Sequence, residues 1–163
     1  MLTLNRDLAI QIDELITRAA EDESAELKLD CKLAGSRVLC GFDSINELAS
    51  TIDSLSVVNN GLKDAPIERI QEAAETLAER INYLPEPLRL IECDPTKEAF
   101  QLRSDKPVRI PSGLHYFELV VNRRVATLTR FRQPANGRRQ IISTIVTHEV
   151  LDRLIHDMSD AFK

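Results

Sequence analysis

The segment 114–146 constrains the fold more than any other part of this chain, because its β-branched and aromatic residues alternate with polar ones between turn signals. It predicts three consecutive antiparallel strands. A two-residue connection at positions 122–123 sets the pairs on the inner face, which are Leu119 with Ala126, Phe117 with Leu128, and His115 with Arg130. The alternate positions Val120, Glu118 and Tyr116 then share the opposite face. Because that face is mostly polar, we expect a sheet that is covered on one side only.

The third strand of this segment, 138–146, follows a Pro-Ala-Asn-Gly turn. Its register stays open, since either Ile141 and Ile145 or Ile142 and Val146 can face the core. The alternation predicts a strand here without deciding which of its faces is buried.

A further hairpin is predicted upstream, where the segments 88–93 and 98–103 flank an Asp-Pro-Thr-Lys turn. Pairing residue 93 with residue 98 places Ile91 opposite Phe100. The next ten residues, 104–113, read as an irregular loop. Beyond the last strand, Thr147 is a suitable N-cap for a C-terminal helix with inward-facing residues, namely Leu151, Leu154, Ile155, Met158 and Phe162.

The first half of the chain is expected to be mainly helical. Apolar residues at helical spacing predict a helix from about Asn5 to Glu21. Between 26 and 41, strict alternation from Leu27 to Leu33 favours a short β-hairpin, because a helix would place those apolar residues on two opposite sides. A helix stays open as the alternative in that segment.

An antiparallel αα-hairpin is predicted for the segment 44–84. Ser44–Glu47 has the sequence of a capping box, and Asn59–Gly61 is a typical helix end. In both proposed helices the apolar residues step by three and four, as in a heptad seam; these residues are Ile45, Leu48, Ile52 and Leu55, then Ile67, Ile70, Ala74, Leu77, Ile81 and Leu84. The predicted fold class is α+β, with N-terminal helices that include this hairpin, an antiparallel β-meander and a C-terminal helix. Residues 1–85 form the mainly helical part and 86–163 the sheet with its last helix, packed together as one unit.

Composition places the chain among ordinary globular proteins, with 43% hydrophobic and 29% charged residues. Three cysteines, at 31, 40 and 93, include no C-x-x-C pair, which argues against a disulfide framework and a zinc ribbon. The stretch 1–7 has no apolar run of the kind found in signal peptides, so we expect a cytoplasmic protein without a membrane segment.

Charge is distributed unevenly along the chain. Residues 1–84 contain 8 Lys/Arg against 16 Asp/Glu, and residues 85–163 contain 13 against 10, so the halves carry −8 and +3. The net charge of −5 and the scarcity of aromatic residues argue against a nucleic-acid partner.

Two groups of polar residues are candidates for a site. His148, Asp152 and His156 share one helical face, but eight residues of helix span about 12 Å, which is too far for a single zinc ion, so no metal site or cofactor is predicted. The second group is basic and could contact an anion or an acidic partner; its members are Arg124, Arg130, Arg132, Arg138, Arg139 and His115, with Arg123 beside them. Solvated strand ends are the simpler explanation for this second group.

Two functions follow as hypotheses, and neither rests on a catalytic motif. The first is a non-enzymatic protein-protein interaction or self-association module that uses the helical hairpin to bind a protein partner or a second copy. The alternative is a small ligand-binding domain or enzyme with a site on the inner sheet face, where His115 is expected beside Arg130. The sequence favours the non-enzymatic hypothesis.

Overall fold

A computed structural model describes residues 4–163. Residues 1–3, which begin the stretch 1–7 that predicts the absence of a signal peptide, lie outside it. The helices are α1 (Arg6–Glu21), α2 (Ile67–Arg80) and α3 (His148–Asp160). The strands of the first half are β1 (Leu27–Leu33), β2 (Ser36–Ile45) and β3 (Ala49–Val58). Those of the second half are β4 (Leu88–Asp94), β5 (Ala99–Ser104), β6 (Val108–Ile110), β7 (Gly113–Val121), β8 (Val125–Gln133), β9 (Gln140–Ile142) and β10 (Thr144–Thr147).

All ten strands belong to one antiparallel sheet, whose main path runs β1-β2-β3-β8-β7-β5-β4. Each half of the chain is a helix followed by an antiparallel meander. The two meanders join where β3 pairs with β8, from Ser54 opposite Thr129 to Val58 opposite Val125. The sheet therefore continues through both halves.

The helices pack on one face of this sheet. α1 contacts β1 and β2, α2 contacts β4, β5 and β7, and α3 contacts β3 and β10. The inner-face residues of the central strands are almost completely buried, among them Leu55, Leu119 and Leu128. Among residues 4–163 no helix lies over the opposite face, which we call the outer face. A sheet with one covered face was predicted, and in β7 and β8 the inner and outer residues are those expected from the alternation.

The predicted αα-hairpin is wrong, because its first helix is replaced by the end of β2, a turn and strand β3. The expected capping box does not form; Asn46 instead shapes the turn, its side chain accepting hydrogen bonds from the backbone N–H of Leu48 and Ala49. The register between β2 and β3 shifts around Asp53, so that Ile52 and Leu55 are both buried although they lie three residues apart. This bulge gives a strand the three-residue apolar spacing of a helix.

The second predicted helix exists but ends earlier than expected, at Arg80. Its apolar residues are buried against the sheet and α3 rather than in a seam with a partner helix. Ile81 and Leu84 continue the apolar pattern into the core although they lie beyond the end of the helix. Three-and-four spacing is equally suited to a helix that packs on a sheet, which explains the misinterpretation.

The hairpin β7–β8 forms with its faces as predicted but with pairs displaced by two residues. Leu119 lies opposite Leu128, Phe117 opposite Arg130, and His115 opposite Arg132. The cause is the turn, in which the Asn122 N–H donates to the Val125 carbonyl at 3.0 Å and Arg123–Arg124 form the connection. An even displacement exchanges partners without changing which residues face the core.

The third strand is divided at Ser143. β9 pairs with β8, and β10 pairs with β3. The two short strands therefore lie between β3 and β8 at the end where those strands no longer pair with each other. Val146 is buried on the inner face, whereas Ile141 and Ile145 are exposed.

The β4–β5 hairpin also forms, with Cys93 opposite Phe100 rather than Ile91 as predicted. Ile91 is the extra residue of a bulge on this edge strand and is 39% exposed. The predicted irregular loop 104–113 contains the short strand β6, which pairs with the start of β7.

The terminal helices and the first hairpin are confirmed. Asn5 caps α1, β1 pairs with β2 as the alternation indicated, and Thr147 caps α3 by accepting a hydrogen bond from the Val150 N–H. The five expected residues of the last helix and its end are buried. None of the helices within residues 4–163 combines the length and the apolar character that crossing a bilayer requires.

Candidate functional site

A cluster of charged residues lies on the outer face around Glu118 of β7. The β5–β7 register places Arg103 directly opposite Glu118, and the Arg103 Nη2 lies 3.4 Å from its Oε2. Gln101, two residues earlier on β5, donates to the same oxygen at 2.6 Å. Glu118 is consequently only 6% exposed, although the strand pattern alone predicts a carboxylate that faces water.

Arg139 completes this cluster from the connection between β8 and β9. It donates to the Glu118 Oε2 at 2.6 Å, and this hydrogen bond raises the pKa of the guanidinium above its ordinary value, so Arg139 keeps its charge. Its Cζ lies 3.9 Å from the ring centroid of Phe131. Phe131 is the cross-strand partner of Tyr116, and the two rings stack with their centroids 5.8 Å apart.

Arg103 covers the other aromatic ring, with its Cζ 4.9 Å from the centroid of Tyr116. The alternation places Tyr116 on the outer, mostly polar face, yet it is only 5% exposed because Arg103 and Phe131 lie over it. The cluster thus presents guanidinium groups, rather than the tyrosine ring, to an approaching partner.

Two arginines share one carboxylate, so the cluster keeps a net positive charge. The Arg103 side chain is 37% exposed. Its Nε is buried without a hydrogen-bond partner among residues 4–163, so only the terminal nitrogens of its guanidinium can face a partner. The Arg139 side chain is 41% exposed. Partly exposed guanidinium groups that are held by aromatic rings and by Glu118 are suited to binding a carboxylate in a fixed geometry.

Apolar residues extend the cluster along the outer face. Ile141 lies opposite Phe131 and is 63% exposed, and Ile145 follows on the other side of Ser143 with an exposure of 75%. A hydrogen bond from the Ser143 hydroxyl to Asp43 fixes the connection between them. We call the whole set the arginine–aromatic strip; its members are Arg103, Tyr116, Phe131, Arg139, Ile141 and Ile145.

The structure does not gather the predicted basic residues into one site. Arg124 lies in the β7–β8 turn, at the opposite end of those strands from the 134–139 connection. Arg132 contacts Gln140, and Arg138 is exposed next to Arg139 without joining the Glu118 cluster. Arg139 is the only one of the predicted arginines that belongs to the arginine–aromatic strip.

Arg130 and His115 lie on the inner side of the sheet, apart from this strip. Arg130 donates to both carboxylate oxygens of Glu86, at 3.1 and 3.0 Å, and its Cζ lies 4.3 Å from the ring centroid of Phe117. His115 is half-buried, and burial followed by the nearby charges of Arg130 and Arg132 lowers its pKa. Glu86 binds the terminal nitrogens of Arg130. Arg130 and His115 therefore offer a ligand an uncharged imidazole and little unpaired charge.

Two members of the helical triad of α3, Asp152 and His156, have structural partners as well. The His156 Nδ1 lies 3.2 Å from the Asp152 Oδ1, and the other carboxylate oxygen of Asp152 accepts a hydrogen bond from the Asn5 N–H at 3.1 Å. His148 is buried at the start of the helix. These contacts tie the last helix to the start of α1.

Sequence reasoning identified Arg139 and placed Glu118 and Tyr116 on the outer face, but it missed Arg103, Phe131 and the apolar part of the strip. The signal that could have identified Phe131 was the alternation of β8, which places it on the same face as Thr129 and Thr127.

No family model matches the chain, and neither a curated protein nor a solved structure shows significant similarity to it.

Proposed function

We propose that this protein is a non-enzymatic protein-binding module, and that its arginine–aromatic strip receives an acidic, partly apolar segment of a partner protein. The observation that carries the proposal is the composition of the strip. Arginine and aromatic residues are enriched in protein interfaces, where they supply most of the binding energy. Here they adjoin Ile141 and Ile145, which are large apolar residues with most of their surface in water.

Charge complementarity selects an acidic partner. The segment 88–147, which contains β4–β10, has 11 Lys/Arg against 5 Asp/Glu, and its net charge is therefore +6. The rest of the chain is acidic enough to bring the total to −5. An acidic segment is attracted to the sheet of the second half and repelled by much of the remaining surface, which favours one orientation on approach.

Fluorescence anisotropy with acidic polypeptides tests the proposal. Labelled poly(Glu,Tyr) copolymer should bind more tightly than poly-Glu, because it supplies rings for the apolar part of the strip as well as carboxylates. Both should bind less tightly as salt rises, since screening shortens the reach of exposed charges. A labelled poly(Lys,Tyr) copolymer is attracted instead to the acidic remainder of the chain, so its affinity should not fall in the variant Arg103→Gln.

Matched variants locate the binding surface. Arg103→Gln should weaken poly(Glu,Tyr) binding by about tenfold or more, since hydrogen bonds between ionised groups contribute about 1.5–3 kcal/mol. Arg138→Gln removes the same charge from an exposed position outside the strip and should change the affinity little. Ile141→Ser should abolish the preference for poly(Glu,Tyr) over poly-Glu without affecting the fold, because this side chain is largely exposed.

Several outcomes would overturn the proposal. Equal losses for Arg103→Gln and Arg138→Gln would mean that net charge rather than the strip governs binding. Tighter binding of a single-stranded DNA oligonucleotide than of the acidic polypeptides would favour a nucleic-acid partner instead. Sedimentation of the protein alone provides the last comparison, since a dimer that Ile141→Ser dissociates would assign the strip to a second copy of the chain.

A further inference from the structure

A cleft of about 440 Å³ lies at the end of the outer face, beside the arginine–aromatic strip. The β6–β7 turn forms one wall and the start of the β8–β9 connection forms the other. Its lining is mostly apolar, with Arg109 at one side; the apolar members are Ile110, Pro111, Leu114, Pro134 and Ala135. This volume is within the range of pockets that hold a small ligand or a bulky side chain.

Local constraints fix the positions of the two walls of the cleft. Gly113 has a φ of +134°, and a Cβ at this position would lie 2.3 Å from the carbonyl oxygen of Gln133, so the two walls approach as closely as the backbone allows. The Gln133 side chain donates to the Gly137 carbonyl at 3.0 Å and so fixes the path of the connection. Pro111 and Pro134 each restrict the backbone of their wall. The cleft is therefore formed before any partner arrives.

The distance from this cleft to the charged cluster is set by β7. Leu114 lines the cleft and Glu118 holds the two arginines, and both residues lie in the outer-face register of the same strand. They are four residues apart, which corresponds to about 14 Å along a strand. A partner segment in extended conformation covers the same distance in four residues.

We infer that the acidic segment bound by the strip is extended, and that it carries a bulky apolar residue four positions away from its acidic residue. This inference rests on the proposed function and adds the spacing of the recognised motif. The apolar side chain occupies the cleft beside Leu114, and the carboxylate accepts hydrogen bonds from the partly exposed guanidinium groups of Arg103 and Arg139. Positive charge at one end and an apolar cleft at the other make the two ends of the site select different residues.

A peptide series tests the spacing directly on the unaltered protein. Each labelled peptide contains one Leu and one Glu-Glu pair in a Ser-Gly background, with the separation between them varied residue by residue on both sides of four, in both chain orders. Anisotropy titrations should give the tightest binding at a separation of four, by about tenfold over a peptide without Leu, as expected for burial of one leucine side chain. Affinities that do not depend on the separation would overturn the inference.

A cleft-filling variant supplies the complementary test. Ala135→Phe places a ring at the exposed rim of the cleft and should reduce binding of the optimal peptide to the level of the peptide without Leu. Binding of the peptide without Leu should stay unchanged. If Ala135→Phe leaves the optimal peptide unaffected, the cleft is not the apolar subsite. Loss of the spacing effect while acidic peptides still bind would leave the proposed function intact, whereas absence of binding by every acidic peptide would overturn both.

Discussion

Replacing Glu86 with alanine should destabilise the protein strongly, because it leaves a buried arginine without its counter-ion. The side chains of Glu86 and Arg130 are only 3% and 12% exposed, and two hydrogen bonds of 3.1 and 3.0 Å join them. Removing one partner of such a pair costs about 3–5 kcal/mol, mostly from the unpaired charge that remains. The total stability of a domain is about 5–15 kcal/mol, so Glu86→Ala should lose a large fraction of it.

Urea unfolding followed by far-ultraviolet circular dichroism measures this loss, since the chain contains no tryptophan for fluorescence. The pair Asp30–Arg37 provides the control, because it too is joined by two hydrogen bonds, each of 2.8 Å, but lies on the surface. Asp30→Ala should shift the urea midpoint very little. The double variant Glu86→Leu/Arg130→Met should recover most of the stability. Equal midpoint shifts for Glu86→Ala and Asp30→Ala would refute the assignment of this pair as a buried structural element.

Three other predictions concern packing, thiol chemistry and pH. Gly61→Ala should cost about 1–3 kcal/mol in urea unfolding, because its Cβ would lie 1.9 Å from the carbonyl oxygen of the buried Phe162; an unchanged midpoint would contradict this contact. Brief alkylation followed by peptide mass spectrometry should label the exposed Cys93 and spare Cys40, since burial raises the pKa of the Cys40 thiol; equal labelling would show that Cys40 is accessible. The lowered pKa of His115 means that the unfolded chain binds its proton more readily, so stability should fall as pH drops through about 6.5, and less steeply in His115→Gln; parallel pH profiles would refute this coupling.

The parts of the fold that the sequence predicts are those with an uninterrupted period. β1 alternates without a break from Leu27 to Leu33, and the alternation of β7 assigned its faces correctly. The period fails at β3, where the bulge around Asp53 changes the spacing of apolar residues from two to three. An irregularity of one residue is therefore enough to make a strand look like a helix, and the capping motif at Ser44 reinforced that reading.

The candidate site was only partly predictable for a different reason. Strand alternation can place Glu118 and Phe131 on a common face, because both lie in regular strands. Arg139 reaches Glu118 through the 134–139 connection, whose path depends on tertiary contacts such as that of Gln133 with the Gly137 carbonyl. Burial of the Glu118 carboxylate is likewise a result of side chains from two other segments.

The pairing of β3 with β8 also has a consequence for biosynthesis. Ser54 and Thr129 face each other across this contact although 75 positions separate them in the chain. During translation the first meander emerges with one edge of β3 already paired with β2, while the backbone N–H and C=O groups on its other edge have no strand partner until β8 has been synthesised. Since contacts of such long sequence separation slow folding, the nascent chain is most vulnerable to aggregation in this interval.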